Sequence, residues 1–184
     1  MQKIVCYGDS NTYGYDATDV FGGRLLPEER WTNILSVLLN AEVVNCGMNG
    51  RTVPRSKRAF DADLRMIARA AQFDLLIIML GSNDLLTGHE PEETAEQMKT
   101  LLLKLQSLYP SSKMLLIAPP PVQGYALLFE ELSEQYQALA KSMQISFADA
   151  GKWSIDISAD DVHFSPAGHQ AFAIRMAEEM KKIP

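Results

Sequence analysis

Five short apolar runs punctuate the chain, at Lys3 to Tyr7, Glu42 to Asn45, Asp74 to Leu80, Lys113 to Ala118 and Ile145 to Ala148. Leu75-Leu76-Ile77-Ile78-Met79-Leu80 carries no polar alternation, as expected of a strand covered on both faces. Between the runs, apolar residues return every three or four positions. Ala95, Met98, Leu102, Leu105 and Leu108 form one such stripe behind Pro91, and Leu128, Leu132, Tyr136, Leu139 and Met143 form another. Both have the spacing of an amphipathic helix. Toward the end, Ser165-Pro166 reads as an N-cap and first helical position, with Phe172, Met176 and Met180 on one face behind it. Fainter helical spacing covers Trp31 to Leu39 and Asp61 to Ala71.

Strands alternating with helices predict a parallel sheet inside a three-layer α/β/α domain. Five strands joined by right-handed crossovers favour a flavodoxin-like order, 2-1-3-4-5. A chain of 184 residues suits one domain over residues 1–184. No internal repeat or linker divides it, and Pro119-Pro120-Pro121, following a strand, reads as a stiff loop. In open sheets of this kind ligands bind beyond the carboxyl ends of the strands. Candidate chemistry is therefore sought directly after each apolar run.

Charge narrows the partners. Lys plus Arg number 17 against 23 Asp plus Glu, a formal charge of -6. An acidic surface without a Lys/Arg cluster repels a phosphate backbone, which argues against nucleic acid. Two cysteines, Cys6 and Cys46, are too few for a disulfide scaffold, so a reducing cytoplasmic setting is expected and a Cys6–Cys46 bridge is not demanded. The first strand starts almost at once, with no h-region before a small-residue cleavage site, so no leader is expected. No apolar run approaches the ~18 residues needed to span a bilayer, and no stable membrane association is expected.

Four polar, glycine-bearing stretches sit where the rim of such a sheet would lie. Gly8-Asp9-Ser10-Asn11 follows the first run and Asn45-Cys46-Gly47-Met48-Asn49-Gly50 the second. Gly81-Ser82-Asn83-Asp84 follows the third, and Asp160-Asp161-Val162-His163 lies past the fifth. Acyl transfer needs a nucleophile, a base, a group that orients the base, and donors for the developing oxyanion. Ser10 supplies a hydroxyl on a sharp turn, with Gly8 letting the backbone bend. His163 takes and returns a proton near neutral pH. Asp160 or Asp161 can orient it; spacing alone does not choose. The N–H groups of Ser10 and Gly47 and the amide of Asn83 are the candidate oxyanion donors. Taken singly, each stretch is ordinary turn composition, and His163 fits a capping or core histidine. The conjunction of all the roles on one rim points to catalysis.

In these blocks the chain resembles the SGNH (GDSL-type) hydrolases, a family defined by Ser, Gly, Asn and His in four successive blocks. Gly8-Asp9-Ser10 matches the first, Gly47 the second, Gly81-Ser82-Asn83-Asp84 the third and Asp160 to His163 the last. In that family the acid precedes the histidine by three residues, which selects Asp160. The resemblance also implies the oxyanion donors named above, in place of the α/β-hydrolase elbow; Thr12 stands where that elbow has glycine. Gly22-Gly23-Arg24, Arg30-Trp31-Thr32, Ala118-Pro119-Pro120-Pro121 and Phe147-Ala148-Asp149-Ala150-Gly151 look like the bacterial arylesterase and acyltransferase subgroup. This implies an esterase acting on small acyl groups, with a homo-oligomer as the expected assembly. Thioesterase, lysophospholipase or carbohydrate acetylesterase activity would use the same chemistry. The rival of another class is a flavodoxin-like module that binds a small ligand without catalysis.

Asn11, Pro120, Val122 and Phe129 are the candidate substrate-binding residues. Leu127 to Phe129 read equally as the wall of an acyl pocket or as the apolar start of a helix. Asp9 is expected to bond local backbone N–H groups, as Asp does in tight turns, and Asp84 and Asp161 to be structural or solvent-facing. Cys46 borders the second stretch and reads as a packing residue. His163, His169, Asp160 and Asp161 match no tight metal-ligand spacing, so neither metal nor cofactor is expected. His89 has no evident partner in the sequence.

Overall fold

The computed structural model describes residues 1–183. Five parallel strands, β1 (Lys3–Gly8), β2 (Glu42–Gly47), β3 (Leu75–Met79), β4 (Lys113–Ala118) and β5 (Ser146–Asp149), form one sheet in the order β2-β1-β3-β4-β5. The expected strand order and α/β/α layering are thus observed. Both neighbours of β1 are parallel to it, with Tyr7 opposite Cys46 on one side and Ile78 on the other.

Six helices lie between the strands, α1 (Ser10–Tyr13), α2 (Trp31–Leu39), α3 (Lys57–Ala68), α4 (Ser82–Leu86), α5 (Pro91–Leu108) and α6 (Ala126–Met143), and α7 (Pro166–Met180) follows β5. The two faces of the sheet bury separate cores. Val5, Tyr7, Leu76, Ile78 and Leu116 pack with Leu102, Leu105, Leu132 and Tyr136 of α5 and α6. Ile4, Cys6, Leu75, Ile77, Leu115 and Ile117 pack with Trp31, Leu35, Phe172 and Met176 of α2 and α7. Alternate residues of each inner strand thus serve different cores, which is why the apolar runs show no polar alternation. Each large aliphatic side chain buried this way stabilises by about 1.5–3 kcal/mol.

The same alternation keeps the two cysteines apart. Cys6 faces the α2/α7 core and Cys46 the α5/α6 core, and both are buried free thiols. Burial raises both thiols above the ordinary range, which makes them poor nucleophiles.

Helix starts differ from the sequence expectation at three places. α3 begins at Lys57 because the Ser56 side chain accepts the Ala59 N–H at 3.2 Å. Immediately after β1 and β3, the short helices α1 and α4 occupy what the sequence presents as turns. No helix among the described residues is long and apolar enough to cross a membrane.

Candidate active site

The turn from β1 into α1 sets the position of Ser10. Asp9 is the N-cap, and its carboxylate accepts the Asn11 N–H at 3.0 Å, satisfying one of the first-turn donors. Ser10 is the first residue of α1, so its own N–H points out of the helix start with no preceding backbone acceptor. Gly8 is required for a different reason from the bend expected of it. A Cβ there would lie 2.1 Å from Thr12 Oγ1 and 2.8 Å from the Met79 carbonyl oxygen. Close packing of β1, β3 and α1 excludes any side chain.

His163 comes from a tight loop before α7. Ile157 and Phe164 form an isolated antiparallel bridge, and the Ser158 N–H donates to the His163 carbonyl at 2.7 Å. Within the loop, Asp160 Oδ1 accepts the N–H groups of Val162 and His163 at 3.1 and 3.0 Å. Asp160 Oδ2 lies 2.5 Å from His163 Nδ1, and His163 Nε2 lies 2.9 Å from Ser10 Oγ. Partial burial pushes the Asp160 carboxyl up, but the His163 ring and the two N–H groups together hold it below the usual range. An ionised Asp160 favours the tautomer with hydrogen on Nδ1, leaving the Nε2 lone pair for the Ser10 hydroxyl. The structure therefore brings Ser10, His163 and Asp160 into one hydrogen-bonded line. Asp161 adopts a left-handed conformation, φ 61°, and its carboxylate faces the Gln123 amide at 3.2 Å.

Asn11 is not free to contact a substrate. Its side chain is buried, accepting the Phe164 N–H at 2.9 Å and donating to the Val162 carbonyl at 3.3 Å. Both partners adjoin His163, so Asn11 holds the histidine loop against α1. Its carbonyl in turn accepts the Trp31 indole N–H at 3.0 Å. The ring of Tyr15 lies against His163, with centroids 4.5 Å apart.

Gly47 is also misplaced as an oxyanion donor. Its N–H donates to Asn45 Oδ1 at 2.9 Å, and a Cβ on it would strike Tyr13 N at 2.1 Å. It is a packing glycine, pressed against α1. Three residues on, Gly50 adopts φ 68° with open space around its Cα, and its N–H has no acceptor among the described residues. Asn83 Nδ2 donates to the carbonyl of the adjacent Arg51 at 2.9 Å, which fixes the amide beside the Gly50 turn. An Asn-Gly turn signature at 49–50 was the available sign of Gly50; which N–H stays free depends on the Asn45 side chain.

Arg51 is a second residue that the sequence does not flag. It is buried, and Nη1 donates to the carbonyls of Gly8, at 2.6 Å, and Cys46. Its Nε lies 3.1 Å from Asp63 Oδ1, and its guanidinium sits 4.5 Å from the centre of the Tyr7 ring. Tyr7 OH donates to Asp63 Oδ2 at 2.7 Å. The guanidinium thereby ties the ends of β1 and β2 together beneath the nucleophile. Beside it, burial pushes the Asp9 carboxyl up to about 6, against the Asn11 N–H and the charges of His163 and Arg51.

The remaining candidates are structural or distant. Val122 and Phe129 are buried in the α5/α6 core, and Phe129 also lines a surface pocket with Pro119, Pro121 and Ala126 that includes none of Ser10, Asp160 or His163. Pro120 is half-buried in the loop after β4. Asp84 is fully buried, accepting the Val53 N–H at 3.0 Å and pairing with Arg55 at 2.9 Å. His169 is buried next to Phe164, and its Nδ1 accepts the Trp31 N–H at 3.3 Å, capping α2. Burial depresses it to about 4, so it is a neutral core residue. His89 does have a neighbour, Glu93, at 3.3 Å. Among the described residues, no group of three or more His, Cys, Asp or Glu is placed to hold a metal ion.

The model of the GDSL-like Lipase/Acylhydrolase family matches residues 6–171. A GDSL lipase of Mycobacterium tuberculosis is 30% identical over 189 residues, covering 96% of this chain and 80% of its own length. The M. smegmatis aryl esterase structure superposes with a TM-score of 0.85 at 27% identity, covering 100% of both chains. Est24, a carbohydrate acetylesterase from Sinorhizobium meliloti, gives a TM-score of 0.87 at 26% identity over 99% of each chain.

Proposed function

The chain belongs to the GDSL-like lipase/acylhydrolase family and is an ester-hydrolysing serine hydrolase, and on that premise we propose that it cleaves small aryl or alkyl carboxylic esters through an acyl-enzyme formed on Ser10. The observation that carries this reading is the line from Ser10 Oγ to His163 Nε2, 2.9 Å, and from Nδ1 to Asp160, 2.5 Å. Such a line supports removal of the serine proton as the oxygen attacks.

In the first half-reaction Ser10 Oγ bonds to the ester carbonyl carbon while its proton passes to His163 Nε2. Asp160 stabilises the imidazolium and does not itself take the proton. The carbonyl oxygen becomes an oxyanion, for which the N–H groups of Ser10 and Gly50 and the Asn83 amide are the proposed donors. Asn83 has two amide hydrogens and spends one on Arg51, leaving the other for this role. Loss of one such donor typically costs about 10²–10³ in rate. Collapse of the intermediate expels the alcohol, protonated by His163. Water, losing a proton to His163, then attacks the acyl-enzyme and releases the acid. An alcohol in place of water gives acyl transfer by the same steps.

A second reading, removal of acetyl groups from sugars, is favoured by the similarity to the S. meliloti carbohydrate acetylesterase. One experiment separates the two. Hydrolysis of p-nitrophenyl esters of increasing acyl length and of peracetylated sugars is measured with wild type and Ser10→Ala. Turnover of the aryl esters, lost in Ser10→Ala and accompanied by fluorophosphonate labelling of the wild type, supports the proposal. Turnover confined to the sugar esters shifts the assignment to the second reading, and no turnover or labelling overturns both.

A further inference from the structure

His163 is reached by a fourth residue besides Ser10, Asp160 and the Asn11 clamp. α1 ends at Gly14, whose left-handed conformation (φ 86°) turns the chain so that the Tyr15 N–H donates to the Ser10 carbonyl at 3.0 Å. On its other side Tyr15 pairs with Arg24 in an antiparallel bridge, reinforced by the Asp16 N–H to the Gly23 carbonyl at 3.2 Å. The backbone of Tyr15 is thus fixed both to the nucleophile's own residue and to a hairpin over residues 15–24. From there the ring meets the imidazole of His163 at 4.5 Å between centroids, tilted by 47°. Tyr15 is half-buried, and its hydroxyl has no hydrogen-bond partner among the described residues. The contact is therefore made by the ring.

We propose that Tyr15 is a positioning residue for His163, its ring holding the imidazole over Ser10 and stabilising the imidazolium formed when the Ser10 proton is taken. The inference rests on the catalytic reading given above. A cation within about 6 Å of an aromatic centroid is attracted by the negative face of the ring. That attraction is weak for neutral imidazole and appears when Nε2 gains its proton. It therefore acts on the step that generates charge, beyond the contact made in the resting state. The other charged or titratable groups around His163 come from separate elements. Asp160 and Asp161 share its loop, Asp9 lies at the start of α1, and His169 sits on α7. None of them bonds Tyr15, so replacing Tyr15 leaves them in place.

The test compares wild type, Tyr15→Phe and Tyr15→Leu, with Ser10→Ala alongside, on p-nitrophenyl acetate across pH. Tyr15→Phe keeps the ring and is expected to retain wild-type kinetics. Tyr15→Leu is expected to lose roughly tenfold in kcat with little change in KM. Its acid limb of kcat/KM moves to lower pH, because the imidazolium has lost a stabilising neighbour. The NMR titration of the His163 ring in wild type and Tyr15→Leu reads the same effect without any substrate, and is expected to shift to lower pH in the variant. An unshifted titration with wild-type kcat in Tyr15→Leu, or Tyr15→Phe as impaired as Tyr15→Leu, overturns the proposal. Failure of the esterase reading shows separately, as a wild type that neither hydrolyses the ester nor labels at Ser10, and the titration then still decides the role of Tyr15.

Discussion

Asn11 grips both peptide groups that flank His163, accepting from Phe164 N–H at 2.9 Å and donating to the Val162 carbonyl at 3.3 Å. Because Asn11 follows Ser10 directly, a single side chain sets the distance between the nucleophile's helix and the base's loop. Asn11→Leu keeps much of the volume but leaves both partners unpaired, each at about 1–3 kcal/mol. Since small misplacements of reacting groups cost up to about a hundredfold, kcat is expected to fall about 10–100-fold, with KM changed far less. Steady-state kinetics on a p-nitrophenyl ester checks it. A wild-type kcat in a folded variant would show that the loop holds itself.

Gly47 and Gly50 should respond unequally to alanine. At Gly47 the new Cβ meets Tyr13 backbone at 2.1 Å, with Thr12 C at 2.5 Å. Backbone cannot yield as a flexible side chain does, so Gly47→Ala is expected to destabilise by at least the 1–3 kcal/mol typical of overpacking. At Gly50 nothing lies within 4 Å, and only the positive φ opposes alanine, at about 1 kcal/mol. Denaturant unfolding of the two variants gives the comparison directly. Equal losses would contradict the assignment of Gly47 to packing.

Asp9 is a carboxylate that folding disfavours. Burial lifts it from an ordinary 3.8 to about 6, so the folded state holds its proton more tightly than the unfolded chain. The contribution of Asp9 to stability therefore falls as pH rises from about 4 to about 6, by about 3 kcal/mol in all. Asp9→Asn keeps an oxygen for the Asn11 N–H and has no charge to bury. Its stability relative to wild type should climb through that window and level off above it. Thermal melts at closely spaced pH values will show this, and a difference that does not vary with pH refutes it.

His169 carries the opposite sign. Its folded value, depressed to about 4 by burial, means that the unfolded chain takes up its proton first. Stability from this residue is complete above about 6.5 and drains away as pH falls toward 4. His169→Phe removes the cap on the Trp31 N–H, a loss of about 1–3 kcal/mol at neutral pH. That deficit should shrink on acidification, because the variant has no buried imidazole to charge. A deficit that grows below pH 6 would exclude the assignment.

The sheet was legible because each inner strand is covered twice. Leu75 and Ile77 serve one core while Leu76 and Ile78 serve the other, so the pattern is an unbroken apolar run. Ser10 and His163 could be named because short polar stretches after such runs have few other places to go, whereas the choice of Asp160 over Asp161 comes only from the family resemblance. Asn11 misled because its position beside Ser10 suggests ligand contact, whereas its partners are the backbone of residues 162 and 164. For Gly47, the deciding feature is where the Asn45 amide points. Val122 and Phe129 are apolar residues near a rim, and only the way α6 settles on the sheet turns them inward. Nothing in a lone Arg51 after a glycine announces that it is buried beneath the ends of β1 and β2.

Asp160 and His163 stand three residues apart along one tight loop, whereas Ser10 belongs to a helix at the other end of the chain. The two contacts along the proton's route therefore differ in stiffness. The acid–base contact is set by a few covalent bonds and survives any drift of the loop as a body. The serine–base contact spans a tertiary joint and opens with the same drift. Whatever loosens this protein, whether heat, denaturant or a distant substitution, should silence proton transfer at the serine while the histidine and its acid remain coupled, so that activity is lost before the fold is.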